Sequence, residues 1–355
     1  MFLAWNEMKY AKLRYLMVVS LMFLIAYLVF FLTGLAFGLA QANRTAVDKW
    51  EAQSILLAKD VNAKLNLSHI SATEFDQVDA QDKASLRQSA AVVDHPSFSE
   101  KVGVTFFGIE KNQFLMPNVI EGTSIQKDNQ VIVDESLIDE GQINIGDKLT
   151  ITGTDTELEI VGITNHAQLS VSPVVYMNVT TFAKVQNVAP SQDSEIPINA
   201  IVVRGQDVDY DKDKLELLSI DDFINDLPGY SAQNLTFIFM IGFLIVIAAI
   251  VVGIFMYILT MQKQHIFGVM KVEGISTGFI AWSVIAQTFL LAMIGVVLGL
   301  LLTYLTASFL PEAIPFSMNH WFNLIISALM ISFALLGAVF SVGAIAKIDP
   351  LDAIE

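Results

Sequence analysis

The chain contains no cysteine, which removes disulfides, thiolate metal sites and cysteine nucleophiles together. Charge is also scarce: 16% of the 355 residues are Asp, Glu, Lys or Arg, against 54% hydrophobic, a balance outside the range of ordinary soluble domains. Basic residues are the scarcer sign, 20 Lys and Arg against 36 Asp and Glu. That balance argues against a nucleic-acid partner, whose phosphates need clustered Lys and Arg. No GxxxxGK[ST] loop, HExxH zinc helix or GxSxG elbow occurs, so the chain cannot cradle nucleotide phosphates in the Walker manner and has no recognisable catalytic constellation. It reads as a non-catalytic subunit, and any use of ATP must come from a separate partner.

What the sequence has in quantity is long apolar runs. A bilayer core of about 30 Å needs roughly 20 apolar residues in a helix, because each residue rises about 1.5 Å. Four segments qualify: 16–40, bracketed by Arg14 and Arg44, then 235–261, 277–306 and 321–346. The first has too long an apolar core for a signal peptide and reads as a permanent helix. Lys9, Lys12 and Arg14 precede it, Lys263 and Lys271 lie between the second and third runs, and Lys347 follows the fourth. By the positive-inside rule both termini (1–15, amphipathic, and 347–355) and the loop 262–276 are cytoplasmic, while 41–234 and 307–320 are outside. The expected fold class is an α-helical membrane protein with four transmembrane helices (1+3) and an α+β extracytoplasmic domain inserted between helices 1 and 2.

All of the net charge of −16 belongs to residues 41–234, which hold 14 Lys and Arg against 30 Asp and Glu. The stretch EAQSILLAKDVNAKL (51–65) has helix-compatible spacing, with Ile55, Leu56 and Val61 as an apolar face. Beyond it the period changes to two, and strands are expected over 102–110, 130–134, 148–153, 158–165, 173–179 and 198–205. DESLIDEGQINIGD (134–147) reads as a short acidic helix followed by a turn at Gly146-Asp147.

The loop QKQHIFGVMKVEGIS (262–276) interleaves Lys263, His265, Lys271 and Glu273 with Ile266, Phe267, Val269, Met270 and Val272. That pattern suits a short helix along the inner surface, with one side in the lipid boundary and another that a soluble partner could grip. A plain positive-inside anchor is the alternative. Gly34-x-x-x-Gly38 and Gly295-x-x-x-Gly299 have the spacing that lets helices approach closely, either between two copies of the chain or within one.

The one-plus-three topology, GVMKVEGIS (268–276), VIVDESLIDEGQINIGDKLTI (131–151) and the ending KIDPLDAIE (347–355) resemble the MacB/FtsX superfamily of ABC transporter permeases. Within it, PGYSAQNLTF (228–237), IFGVMKVEGIS (266–276) and AKIDPLDAIE (346–355) resemble the haem-regulated transporter permeases of Gram-positive bacteria. The resemblance covers essentially the whole chain. It implies a homodimer in the bacterial cell membrane, in contact with membrane lipid and paired with two copies of an ATPase subunit that binds the ATP. It also implies haem as substrate, exported for detoxification, with no intrinsic cofactor and no metal. Export or extraction of a lipid, lipoprotein or antimicrobial peptide by the same mechanism, and FtsX-like regulation of a cell-wall hydrolase, stand as alternatives.

Under the haem reading, ATPase coupling falls to Lys263, His265, Phe267, Lys271 and Glu273, with the C-terminal residues from Lys347 onward. Phe30 and Phe37, beside the glycines at 34 and 38, could line a pocket in the outer half of the first span. Haem iron is held by His, Met, Cys or Tyr, and with Cys absent the outer-domain tyrosines Tyr176 and Tyr230 are the leading candidates, with His166 and His320 behind them. Interfacial tyrosine enrichment for Tyr230 and strand packing for Tyr176 are the competing explanations.

Overall fold

The computed structural model describes residues 12–154, 156–186, 196–311 and 314–346. Most of the expected N-terminal segment 1–15 and all of 347–355 lie outside these residues. The chain divides into two compact units: one holds 1–38, 235–311 and 316–355, the other 39–234 with 312–315.

The first unit is helical. Its spans are α1 (Lys12–Asp48), α6 (Tyr230–Met261), α8 (Thr277–Ala307) and α9 (His320–Ala346), with the short α7 (Gln264–Val272) after α6. All four long helices are apolar enough to cross a membrane. The helix α1 continues past Ala40 to Asp48, and α6 begins at Tyr230, five residues before the apolar run. Apolarity marks where lipid must be, whereas helical hydrogen bonding continues into polar sequence wherever it finds partners. Buried Met22, Ala26, Phe30, Val252, Met256, Val284, Val296 and Met330 form the core.

The second unit is α+β. Its strands are β1 (Ser54–Ala58), β2 (Asp79–Asp94), β3 (Val102–Ile109), β4 (Glu121–Gly122), β5 (Gln130–Asp134), β6 (Lys148–Ile151), β7 (Glu157–Thr164), β8 (Gln168–Leu169), β9 (Ser172–Asn178), β10 (Ala200–Asp209) and β11 (Leu215–Ser219). Its helices are α2 (Ala72–Gln77), α3 (Glu135–Gly141), α4 (Val179–Val185) and α5 (Ile220–Asn225). The sheet order is β11-β1-β10-β2-β3-β9-β5-β7-β4, with β6 on β2 and β7 and β8 on β9. The pairs β3–β9 and β5–β7 are parallel.

The helix expected over 51–65 is not there. Ile55, Leu56 and Leu57 are all buried in β1, which lies between β10 and β11. A strand covered on both faces loses the alternation that marks a half-buried one, so a short apolar run gives no period to read. The missed β2 is 16 residues of DAQDKASLRQSAAVVD, poor in β-forming residues. Pairing to β10 on one side and β3 on the other holds it extended, a tertiary override of local preference. The acidic helix α3 forms with Asp134 as N-cap, and the turn at Gly146 has φ +96°.

Within this unit the end of α1 is tied down from several sides. Ser170 and Val171, both at positive φ, close the β8–β9 hairpin, and their N–H groups donate to Asn43 O and Ala42 O at 3.0 and 2.9 Å. Lys49 Nζ donates to Asn118 Oδ1, Thr164 Oγ1 and Asn165 O at 2.7, 3.0 and 2.6 Å. Desolvation holds this ammonium below the usual lysine range, only partly offset by Asp134 and Glu135. Arg204 donates twice to the carbonyl of the buried Trp50.

Candidate functional site

The spans pack through glycines. A β-carbon on Gly295 would lie 2.6 Å from that of Met22, and one on Gly299 2.7 Å from that of Ala26, so α1 and α8 touch backbone to backbone over one turn. Since 22 pairs with 295 and 26 with 299, the two helices run parallel. A β-carbon on Gly253 would lie 2.9 Å from Gly337 O, which seats α6 on α9 in the same way; this second seam has no GxxxG spacing and sequence reading passed it over. Gly34 is filled by the ring of Phe316, and Ser317 N–H donates to Gly34 O at 3.1 Å. Gly38 is buried in α1. Of the two readings of the glycine motifs, Gly34, Gly295 and Gly299 are thus occupied within one chain.

At the opposite end of the bundle from Gly34 lies α7. The dipeptide Gly274-Ile275 ends it: Gly274 takes φ +89°, and Ile275 N–H reaches back to Met270 O at 2.9 Å, a Schellman closure that satisfies a terminal carbonyl. Ser276 then caps α8 by accepting from Phe279 N–H. A helix, its stop and the next start are therefore packed into the run VEGIS.

Phe267 is 3% exposed and seats α7 on the bundle. Lys263 also turns inward. Its ammonium donates to Tyr15 Oη at 2.7 Å, and Tyr15 Oη in turn donates to Gln287 Oε1 at 3.2 Å. Arg14 donates to Gln262 Oε1 at 2.6 Å. Of the five residues expected to couple, Phe267 and Lys263 therefore hold α7 in place, Lys271 is half-buried, and His265 and Glu273 face outward with Ile266, Val269 and Val272.

The haem-ligand candidates scatter. Tyr176 is 1% exposed, edge-on to Phe107 at 5.6 Å. Burial first, and the charge of Asp134 second, push its phenol far above the ordinary tyrosine range. This placement is that of a packing residue, with no open side for an iron. Tyr230, the first residue of α6, is 7% exposed, and its phenol lies close enough to the Arg44 guanidinium to favour the charged form of that arginine, after Asp48. Arg44 is also held by Asp48 at 2.8 Å. Phe30 is buried in the helical core, Phe37 half-buried. His166 is exposed in a left-handed loop position, and His320 is exposed at the start of α9, bonded to Tyr304. Tyr304, which lies inside the third apolar run, is the site residue that only the three-dimensional arrangement brings forward.

Residues 238–350, from early α6 to four residues past the end of α9, match the family described as FtsX-like permease C-terminal. The whole chain is similar to a protein of Staphylococcus epidermidis named as a hemin transport system permease, HrtB, at 28% identity over 99% of this chain and 98% of that one. The Staphylococcus haemolyticus protein of the same name is 25% identical with the same coverage. An uncharacterised ABC transporter permease of Mycobacterium bovis is 24% identical, again over 99% and 98%. Among solved structures, the periplasmic region of MacB from Actinobacillus actinomycetemcomitans aligns with 48% of this chain and 90% of its own, at 11% identity and a TM-score of 0.35. The extracellular domain of the transporter YknZ aligns with 44% and 83%, at 10% identity and a TM-score of 0.33.

Proposed function

We propose that this chain is the permease subunit of an ABC-type exporter that removes haem from the bacterial cell, working as a homodimer with two copies of a separate ATPase. The observation that carries the reading is α7. It is a short helix between the second and third spans, locked to the bundle by Phe267 and the Lys263–Tyr15–Gln287 chain. It presents His265, Ile266, Val269, Val272 and Glu273 away from the bundle. A helix anchored on one side and amphipathic on the other transmits a push from a soluble partner as a rigid body. Haem enters from the full-length likeness to proteins named for hemin transport. Tyr230, beside Arg44, is the better placed of the two outer-domain ligand candidates, since a guanidinium stabilises both a phenolate and a propionate.

Lys271→Glu combined with Glu273→Lys should leave membrane insertion intact and uncouple export from ATP hydrolysis, and normal export by this variant would remove α7 from the mechanism. A strain lacking the chain should be selectively sensitive to haem. Sensitivity confined to peptide antibiotics would favour export or extraction of a lipid, lipoprotein or peptide instead, and chaining or lysis would favour control of a wall hydrolase.

A further inference from the structure

Tyr304 lies one turn before the end of α8, and His320 is the first residue of α9. Just before α9 the chain is fixed to α1, with Phe316 over Gly34 and Ser317 N–H donating to Gly34 O. Asn319 holds the start of α9 by accepting from Trp321 and Phe322 N–H at 3.0 and 3.2 Å. These contacts bring Tyr304 Oη to 2.7 Å from His320 Nδ1, with the rings stacked at 6.1 Å and 20°. Among the described residues this is the one hydrogen bond between a tyrosine and a histidine. Both side chains are exposed, and the neighbouring Phe309 and Trp321 are 80% and 77% exposed. An interfacial aromatic belt accounts for tyrosine and tryptophan at such a position. It does not account for an imidazole nitrogen held on the phenol oxygen.

We propose that Tyr304 and His320 form a ligation site for ferric haem at the Gly34 end of the helical bundle, Tyr304 supplying the axial oxygen and His320 taking its proton. The proposal rests on the reading of haem as substrate. A phenol is a poor ligand until it loses its proton, and an imidazole with its hydrogen on Nε2 offers Nδ1 as the acceptor. As the oxygen lone pair bonds iron, the O–H bond breaks and the proton passes to Nδ1. The imidazole becomes imidazolium and iron stays ferric. Tyrosine is an established axial ligand type for haem, and the exposed rings of Phe309 and Trp321 give the porphyrin an apolar face to lie against. Tyr230 belongs to the other unit.

The test uses the full-length chain in lipid nanodiscs titrated with hemin and read by absorption and resonance Raman spectroscopy. Wild type should show a phenolate-to-iron charge-transfer band and an iron–phenolate stretch. Tyr304→Phe should lose the Tyr304-dependent part of both and bind hemin at least tenfold more weakly, and His320→Phe, which keeps a stacked ring, should bind severalfold more weakly. Tyr230→Phe serves as the reference that leaves this component in place. Hemin binding by wild type with the same spectrum and affinity in Tyr304→Phe overturns the site while the haem reading stands. No spectral change in wild type overturns both. Should Tyr304→Phe fail to fold, the wild-type Raman spectrum still decides: bound haem without an iron–phenolate stretch rules the site out.

Discussion

The two candidate tyrosines of the second unit, Tyr176 and Tyr230, are both buried, 1% and 7% exposed, and separate on what surrounds the phenol, since Tyr230 lies beside the Arg44 guanidinium. Tyr176 is packed among Phe107, Ile132 and Trp50 in the core of the second unit, where the charged phenolate has no water to solvate it. Its folded pKa is raised, so the proton stays on in the folded state while an unfolded chain would lose it near pH ~10. The stability contributed by this burial is therefore complete below about pH 10 and is lost as pH rises beyond it. A series of thermal melts should show Tm falling above that pH, and Tyr176→Phe should flatten the fall. Ionisation of Tyr176 in the intact fold near pH ~10 would show that the ring is accessible and restore it as a ligand candidate. Sequence could not show that Tyr176 is covered, because a tyrosine in an alternating strand reads the same whether its neighbours cover the oxygen or leave it bare. Nor could it find the Tyr304–His320 pair, sixteen residues apart, which the seating of Phe316 on Gly34 helps bring together.

Element by element, legibility followed periodicity. The strands β3, β5, β6, β7, β9 and β10 begin and end close to where alternation begins and ends, since one face of each is less buried than the other or bounded by turn residues. The strand β1 failed because both of its faces are covered, and β2 because its pairing partners supply the preference its own residues lack. The short α7 was legible as a helix from its amphipathic spacing, yet the direction each residue faces was not. Lys263 and Phe267, both expected among the residues that couple to the ATPase, hold α7 to the bundle. That difference carries a prediction. Phe267→Ala removes a buried aromatic, a change that costs about 3–5 kcal/mol in a close-packed interior. It should loosen α7 from the bundle and uncouple transport without preventing membrane insertion, whereas Ile266→Ser on the outer side should weaken capture of the ATPase and spare the protein's own stability. Limited proteolysis within 262–276 checks the first effect and co-purification of the ATPase the second. Equal protease resistance in Phe267→Ala and wild type would show that the helix is held by other contacts.

At the scale of the whole molecule, the segregation of charge and apolarity was the strongest signal in the sequence. Every unit of net negative charge lies in 41–234, and the four apolar runs all became helices of 27 to 37 residues. The neighbours of each helix were not encoded so openly. Gly295 and Gly299 announced a close approach without naming α1 as the partner, and Gly253 with Gly337 announced nothing, because neither has a second glycine four residues away. The bundle brings Arg14, Gln262 and Lys263 together at one end. On the proposed account that end receives the ATPase and the Gly34 end releases the substrate. The most direct measurement is made on proteoliposomes that contain this chain with the ATPase that co-purifies with it, loaded with hemin in the bilayer and supplied with ATP on the α7 side. The account predicts ATP-dependent appearance of haem on an acceptor protein at the opposite face, abolished by Lys271→Glu combined with Glu273→Lys. ATP hydrolysis at the wild-type rate with no movement of haem would contradict it.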